Sequence, residues 1–183
     1  MKKFVIGCSL FCFIAVQASA QIPSFVKGDN VAGIGIGFGG YNFGTGYSGT
    51  PYFTGYFENC VKDNLFDEKS SLGIGGTLGY KSNKWESSGW GYKYTYFLIG
   101  VRGALHYAFV DKLDTYAGLM IGYRGSSSKE IGTPIGVKAS SWGGMTSDIF
   151  VGARYYFTDN VAAFLELGYS WFSVGTIGVS FKF

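Results

Sequence analysis

Residues 31–41 alternate strictly: Ala32, Ile34, Ile36 and Phe38 fall on one face, and Gly33, Gly35, Gly37 and Gly39 on the other. A period of two is the side-chain period of an extended strand. The same alternation recurs in 72–80, 92–109, 116–124, 149–157, 161–171 and 177–183, and more weakly in 52–61, so the pattern predicts eight strands. Beyond residue 30 no segment of comparable length carries the 3.6-residue period of an amphipathic helix, and none approaches 18 continuous apolar residues. The reading is an all-β chain without a helical span.

The connections fall into two kinds. Segments 63–70, 110–114 and 158–160 read as short or Asp/Asn-bearing turns, whereas 43–50, 81–91 and 125–144 read as longer loops rich in Gly, Ser and Trp. Only 173–175 breaks the alternation by being tight. Short and long loops at opposite ends belong to an antiparallel up-and-down meander closed into a transmembrane barrel. A weak repeat agrees with this: Leu78-Gly79-Tyr80, Ile121-Gly122-Tyr123 and Leu167-Gly168-Tyr169 each set a tyrosine at the same end of a strand.

Alternation alone does not say which face meets water. In 92–109, Phe97, Ile99, Val101, Leu105, Tyr107 and Phe109 stand opposite Arg102, Ala104 and His106. A soluble barrel turns the first set inward, and a membrane barrel turns it toward lipid. The apolar-face aromatics gather at strand ends, with Tyr41, Tyr80, Tyr123, Tyr169 and Trp171 at one level and Tyr107, Phe109, Tyr155, Phe157, Phe181 and Phe183 at the other. Two aromatic girdles around an aliphatic band are the interfacial belts of a bilayer protein.

Composition sharpens this. Charged residues are 15% of the 183 and aromatics 19%, with 30 glycines and three prolines, a poor recipe for a soluble helical domain. The net charge of +3 offers nothing to nucleic acid, and one histidine with three cysteines makes a His- or Cys-rich zinc site nearly unbuildable. Lys2 and Lys3, the apolar stretch 4–16 and Ala18-Ser19-Ala20 read as a signal peptide over 1–20, cleaved between Ala20 and Gln21. Val5-Ile6-Gly7-Cys8 loosely matches a lipobox, but too few apolar residues precede the cysteine. Cleavage removes Cys8 and Cys12, leaves Cys60 alone in a 21–183 barrel domain, and leaves 13 basic against 12 acidic residues.

From about residue 28 to 183 the sequence resembles the small eight-stranded bacterial outer-membrane barrels of the OmpA/OmpX type. The terminal Gly178-Val179-Ser180-Phe181-Lys182-Phe183 is similar to the signal read by that family's insertion machinery, with Phe181 and Phe183 as its aromatic positions. The resemblance implies a bacterial outer-membrane location, with lipid and the barrel-assembly machinery as partners. The peptidoglycan-binding periplasmic domain of larger members is not carried over.

Several motifs invite other chemistry. Gly35-x-Gly37-x-x-Gly40 fits a dinucleotide fingerprint, but no helix follows it to meet a pyrophosphate, so its glycines read as small lumen residues. His106, the one candidate imidazole base, falls in the lumen near the periplasmic end, among Tyr and Arg rather than a Ser and Asp. Some family barrels are enzymes, among them a lipid A palmitoyltransferase and a protease, but they carry their catalytic groups at the extracellular rim. Glu58 and Glu166, on strands far apart in the meander, read as members of a lumen charge network with Arg102, Arg124, Arg154 and Lys182. Eight strands enclose just enough room for side chains, so the lumen is expected to be plugged. The reading is a non-enzymatic, cofactor-free barrel, structural or surface-interacting. A narrow channel and a lipid-modifying enzyme are its rivals. With an even strand count both termini are periplasmic, and loops near Tyr47, Ser87 and Gly136 face outward. Tyr47, Trp85, Trp90 and Trp142 in those loops suit the lipid interface or an extracellular ligand whose identity the residues do not reveal.

Overall fold

The alternating segments form antiparallel strands in a computed structural model that describes residues 24–40, 47–87, 90–132 and 140–183. Ala20, Gln21, Tyr41 and Gly136 lie outside the described residues. The strands are β1 (Asn30–Phe38), β2 (Tyr47–Gly49), β3 (Tyr52–Asp63), β4 (Ser70–Ser87), β5 (Trp90–Val110), β6 (Leu113–Gly132), β7 (Ser141–Tyr156), β8 (Val161–Tyr169) and β9 (Gly175–Lys182). β1 pairs with β3, consecutive strands from β3 to β9 pair in turn, and β9 returns to β1 in a ladder from Val31↔Lys182 to Phe38↔Gly175. Closure leaves the ring without a free edge.

The ring has eight staves because β2 prolongs β3. Both lie along β4, with Gly49 opposite Asn83 and Phe53 opposite Tyr80. Between them Pro51 supplies no ladder N–H. Thr50 bridges the interruption: its N–H donates to Ser82 O (2.8 Å), and its Oγ1 accepts from Ser82 N–H (3.0 Å).

The exterior is apolar. Ile34, Phe57, Leu78, Ile99, Val101, Leu119, Ile121, Ile149, Val151, Leu167 and Ile177 all project outward and exposed, whereas their strand neighbours Tyr56, Glu58, Leu98, Arg102, Met120, Phe150 and Phe164 are buried inside. A water-facing barrel would have the opposite sidedness, so this band faces lipid. Tyr80, Tyr123 and Tyr169 rim it at one level, and Phe109, Tyr155, Phe157, Phe181 and Phe183 at the other.

Two sequence expectations change. Most of 81–91 and 125–144 is strand, because β4 and β5 run as one ladder up to Ser87↔Trp90 and β6 pairs with β5 up to Gly132. The wall is therefore uneven. β4 to β7 are 18, 21, 20 and 16 residues long, while β8, β9 and β1 have 9, 8 and 9. Trp171, expected in the outer girdle, instead turns onto Tyr96 (ring centroids 5.2 Å) and Phe172 (5.6 Å). The chain bends there after β8 ends, which frees the ring from strand alternation.

Candidate functional site

Inward positions of five strands bring six ionisable side chains together in the half of the lumen near the short turns: Glu58 from β3, Arg102 and His106 from β5, Asp114 from β6, Arg154 from β7 and Glu166 from β8. Glu58 is the hub. Its Oε2 accepts from Arg154 Nη2 at 3.0 Å and lies 3.7 Å from Arg102 Nε, and its Oε1 meets His106 Nε2. Arg102 Nη2 donates to Glu166 Oε1 at 2.6 Å, which Tyr116 OH also reaches at 3.0 Å. Asp114 faces His106 Nδ1 at 2.9 Å and Arg154 Nε at 3.5 Å. Three carboxylates thus face two guanidiniums and an imidazole.

Glycines make the room. A Cβ on Gly73 would overlap the Glu58 carboxylate and come within 2.9 Å of His106 Nε2. The guanidiniums also lie over rings, Arg102 4.3 Å from the Phe150 centroid and Arg154 4.7 Å from that of Tyr116. Phe25, ahead of β1, is buried against His106 with centroids 4.5 Å apart.

The strands of Glu58 and Glu166 are far apart in chain order, yet Arg102 bridges both across the lumen. Arg124 and Lys182 stand elsewhere. Arg124 sits opposite Leu98 and Gly144, above the cluster, and lies over Trp171 (4.5 Å) and Trp142 (5.0 Å). Lys182 sits at the short-turn mouth, 3.7 Å from Asp29 and donating to Ser24 O at 3.0 Å. Both face inward, but strand length separates them by level. His106 is flanked by carboxylates as well as by Tyr116, which differs from the expected surroundings of Tyr and Arg alone. Asp114 belongs to segment 110–114, whose composition predicts a turn. Its inward parity with Tyr116 was the available signal, whereas nothing periodic marks Phe25.

Above a cavity of about 60 Å³ lined by Tyr52, Arg102, Met120, Asp148, Phe150 and Glu166, a second layer crosses the lumen. Tyr52 stacks on Phe172 (5.2 Å), and Lys81 Nζ donates to Phe172 O (3.2 Å) and Gly39 O (3.4 Å), tying the tall wall to the short one. The cavity has space for a few water molecules only.

The chemistry available here is that of a closed ion cluster. Both His106 nitrogens face carboxylates, which leaves neither for a serine hydroxyl. Among the described residues no group of three or more His, Cys, Asp or Glu is set to hold a metal ion. Gly35 and Gly37 lie within β1, paired on both sides.

No family model and no curated protein matches the sequence. Solved structures do match the fold. Ail, the attachment invasion locus protein of Yersinia pestis, superposes with TM-score 0.56 at 13% identity over 86% of this chain and all of that one. A second Ail structure, in complex with the heparin analogue sucrose octasulfate, gives 0.56 at 12% identity over the same shares. A de novo designed transmembrane β-barrel gives 0.50 at 16% identity over 86% of this chain and 97% of that one. With its lipid-facing belt, closed eight-stave ring and filled lumen, the chain has the fold of the small eight-stranded transmembrane β-barrels of the OmpA/OmpX type.

Proposed function

We propose that this chain is a non-enzymatic bacterial outer-membrane barrel that works by binding at its tall exposed hairpins rather than by passing solutes. One observation carries the reading: side chains close the lumen at two levels, while β4 to β7 rise well above the ends of β8, β9 and β1. A plugged barrel with an enlarged outer wall has its variable chemistry outside. The Ail complex with a heparin analogue supports the idea that this fold carries extracellular ligands. The reading includes export by removal of 1–20, and insertion of the 21–183 barrel through the terminal aromatics Phe181 and Phe183 by the assembly machinery.

Planar-bilayer recording tests the closed lumen. Purified barrel should give no steady unit conductance. Reproducible steps that change size with Arg102→Ala would replace this reading with a narrow channel. Acyl transfer or hydrolysis abolished by His106→Ala would replace it with an enzyme.

A further inference from the structure

On the outer, convex face of the tall wall, Lys84 of β4 lies directly opposite Lys93 of β5, and Lys93 lies directly opposite Lys129 of β6. All three share strand parity with the lipid-facing Tyr80, Phe97 and Tyr123. Like charges placed directly opposite one another repel, and Lys93 meets one on each side. Glu86 pairs with Lys84, while the other acid at this height, Glu130, has inward parity; among the described residues Lys93 and Lys129 have no ion-pair partner. The row therefore keeps two uncompensated positive charges.

The girdle sets the height of this row above the bilayer. Lys93 lies four residues beyond Phe97, and Lys84 four beyond Tyr80, about 13 Å of strand and about 10 Å of height at a barrel tilt near 40°. The headgroup layer rises about 5–8 Å above the hydrocarbon, and a lysine stem laid back along the strand returns its ammonium to that layer. Residue pairs run from Gly33 through Tyr56, Thr77, Gly100 and Gly122 to Thr146, which lies past the top of the β7–β8 ladder. The strands thus lean, and the tops of β4 to β6 overhang β1 and β3. Beneath them Ile34, Phe53, Leu78 and Tyr80 wall a lipid-facing groove whose floor at Gly55 carries no side chain.

We propose that the lysine row binds a phosphate-bearing lipid headgroup in the leaflet around the tall end, with an acyl chain of that lipid lying in the groove below. Compact ammonium groups suit phosphate oxygens as point charges. Thr95 and Ser127, opposite each other between the row and the girdle, offer hydroxyls to the same headgroup. A bound phosphate relieves the repulsion that the ladder geometry imposes on Lys93. A soluble polyanion would use the charges but neither the groove nor their height above the girdle.

The test refolds the full barrel into phosphatidylcholine vesicles holding a trace of either phosphatidic acid or phosphatidylcholine with a dansyl-labelled acyl chain. Energy transfer from tryptophan reads the enrichment, because Trp85, Trp90, Trp142 and Trp171 all lie toward the tall end. Each unpaired lysine should favour the anionic headgroup about fivefold, so labelled phosphatidic acid should be enriched about tenfold or more over labelled phosphatidylcholine. Lys93→Gln/Lys129→Gln should erase most of that enrichment, and Lys62→Gln/Lys112→Gln, at the short-turn end, should leave it. Should the first variant not refold, the wild-type enrichment must still collapse between about 0.05 and about 1 M NaCl. Equal transfer from the two lipids, full enrichment in Lys93→Gln/Lys129→Gln or a salt-independent signal overturns the proposal. Displacement of the labelled lipid by micromolar heparin hexasaccharide or millimolar inorganic phosphate overturns the lipid assignment in favour of a soluble anion.

Discussion

Arg154→Leu is the sharpest test of the lumen cluster. Arg154 is fully buried, donates to Glu58 at 3.0 Å and lies 3.5 Å from Asp114. A pair with charge centres ~4 Å apart is worth about 4 kcal/mol at an effective dielectric near 20, and breaking a buried pair ordinarily costs about 3–5 kcal/mol. Glu58 retains Arg102 at 3.7 Å and His106, and Asp114 retains His106, so the lower end applies. We expect a loss of about 3 kcal/mol. Adding Glu58→Gln removes the stranded charge and leaves two matched pairs, Arg102 with Glu166 and His106 with Asp114. The double variant should therefore be more stable than Arg154→Leu alone, with a coupling of about 2 kcal/mol. Urea unfolding in lipid vesicles, followed by tryptophan fluorescence, measures all four corners of the cycle. A single variant within about 0.5 kcal/mol of wild type, or a strictly additive double, would refute the reasoning.

Three further outcomes are expected. Gly73→Ala should cost about 1–3 kcal/mol by driving the Glu58 carboxylate off His106, while Gly55→Ala, whose Cβ would point outward with Gly33 O at 3.7 Å, should be nearly neutral; equal losses in urea titrations would contradict the packing. On intact cells a membrane-impermeant amine reagent should modify Lys84 in the tall hairpins and spare Lys62 and Lys112 at the short-turn end; the reverse pattern inverts the topology. In the β3–β4 turn, a hydrogen bond donated by Tyr107 OH at 2.9 Å, with Lys69 N–H also donating, holds the Asp67 carboxyl below the ordinary aspartate range. A folded value below the unfolded one makes this contact stabilising above the unfolded pKa and lost as pH falls through the folded one. Tyr107→Phe should raise the Asp67 midpoint in a carboxyl NMR titration, and an unmoved midpoint would dismiss the bond as its cause.

Period-two alternation specifies the strands, and the aromatic girdles at their ends specify the lipid side, since a lipid-facing strand must show apolar residues at every second position and interfacial rings where it leaves the bilayer. Ile34 and Ile36 against Gly33 and Gly35 express that constraint within a single segment, so it is legible without any partner strand. The full reach of β4 to β7 was not. Above the bilayer both faces carry polar residues, such as Ser82, Lys84, Ser126 and Ser128, so the contrast that marks a strand fades; cross-strand pairs such as Tyr94 with Asn83 and Ser128 define it instead. Sequence parity could place Glu58, Arg102, Arg154 and Glu166 in the lumen but not choose their partners. Those depend on register and closure around the whole ring, which set Arg102 between two acids from β3 and β8, drew Asp114 in from beside a turn, and left Arg124 and Lys182 on other levels. The burial of Phe25 beneath His106 and the inward turn of Trp171 belong to irregular backbone, where no periodicity carries information and only the space left by the closed barrel decides where a ring goes.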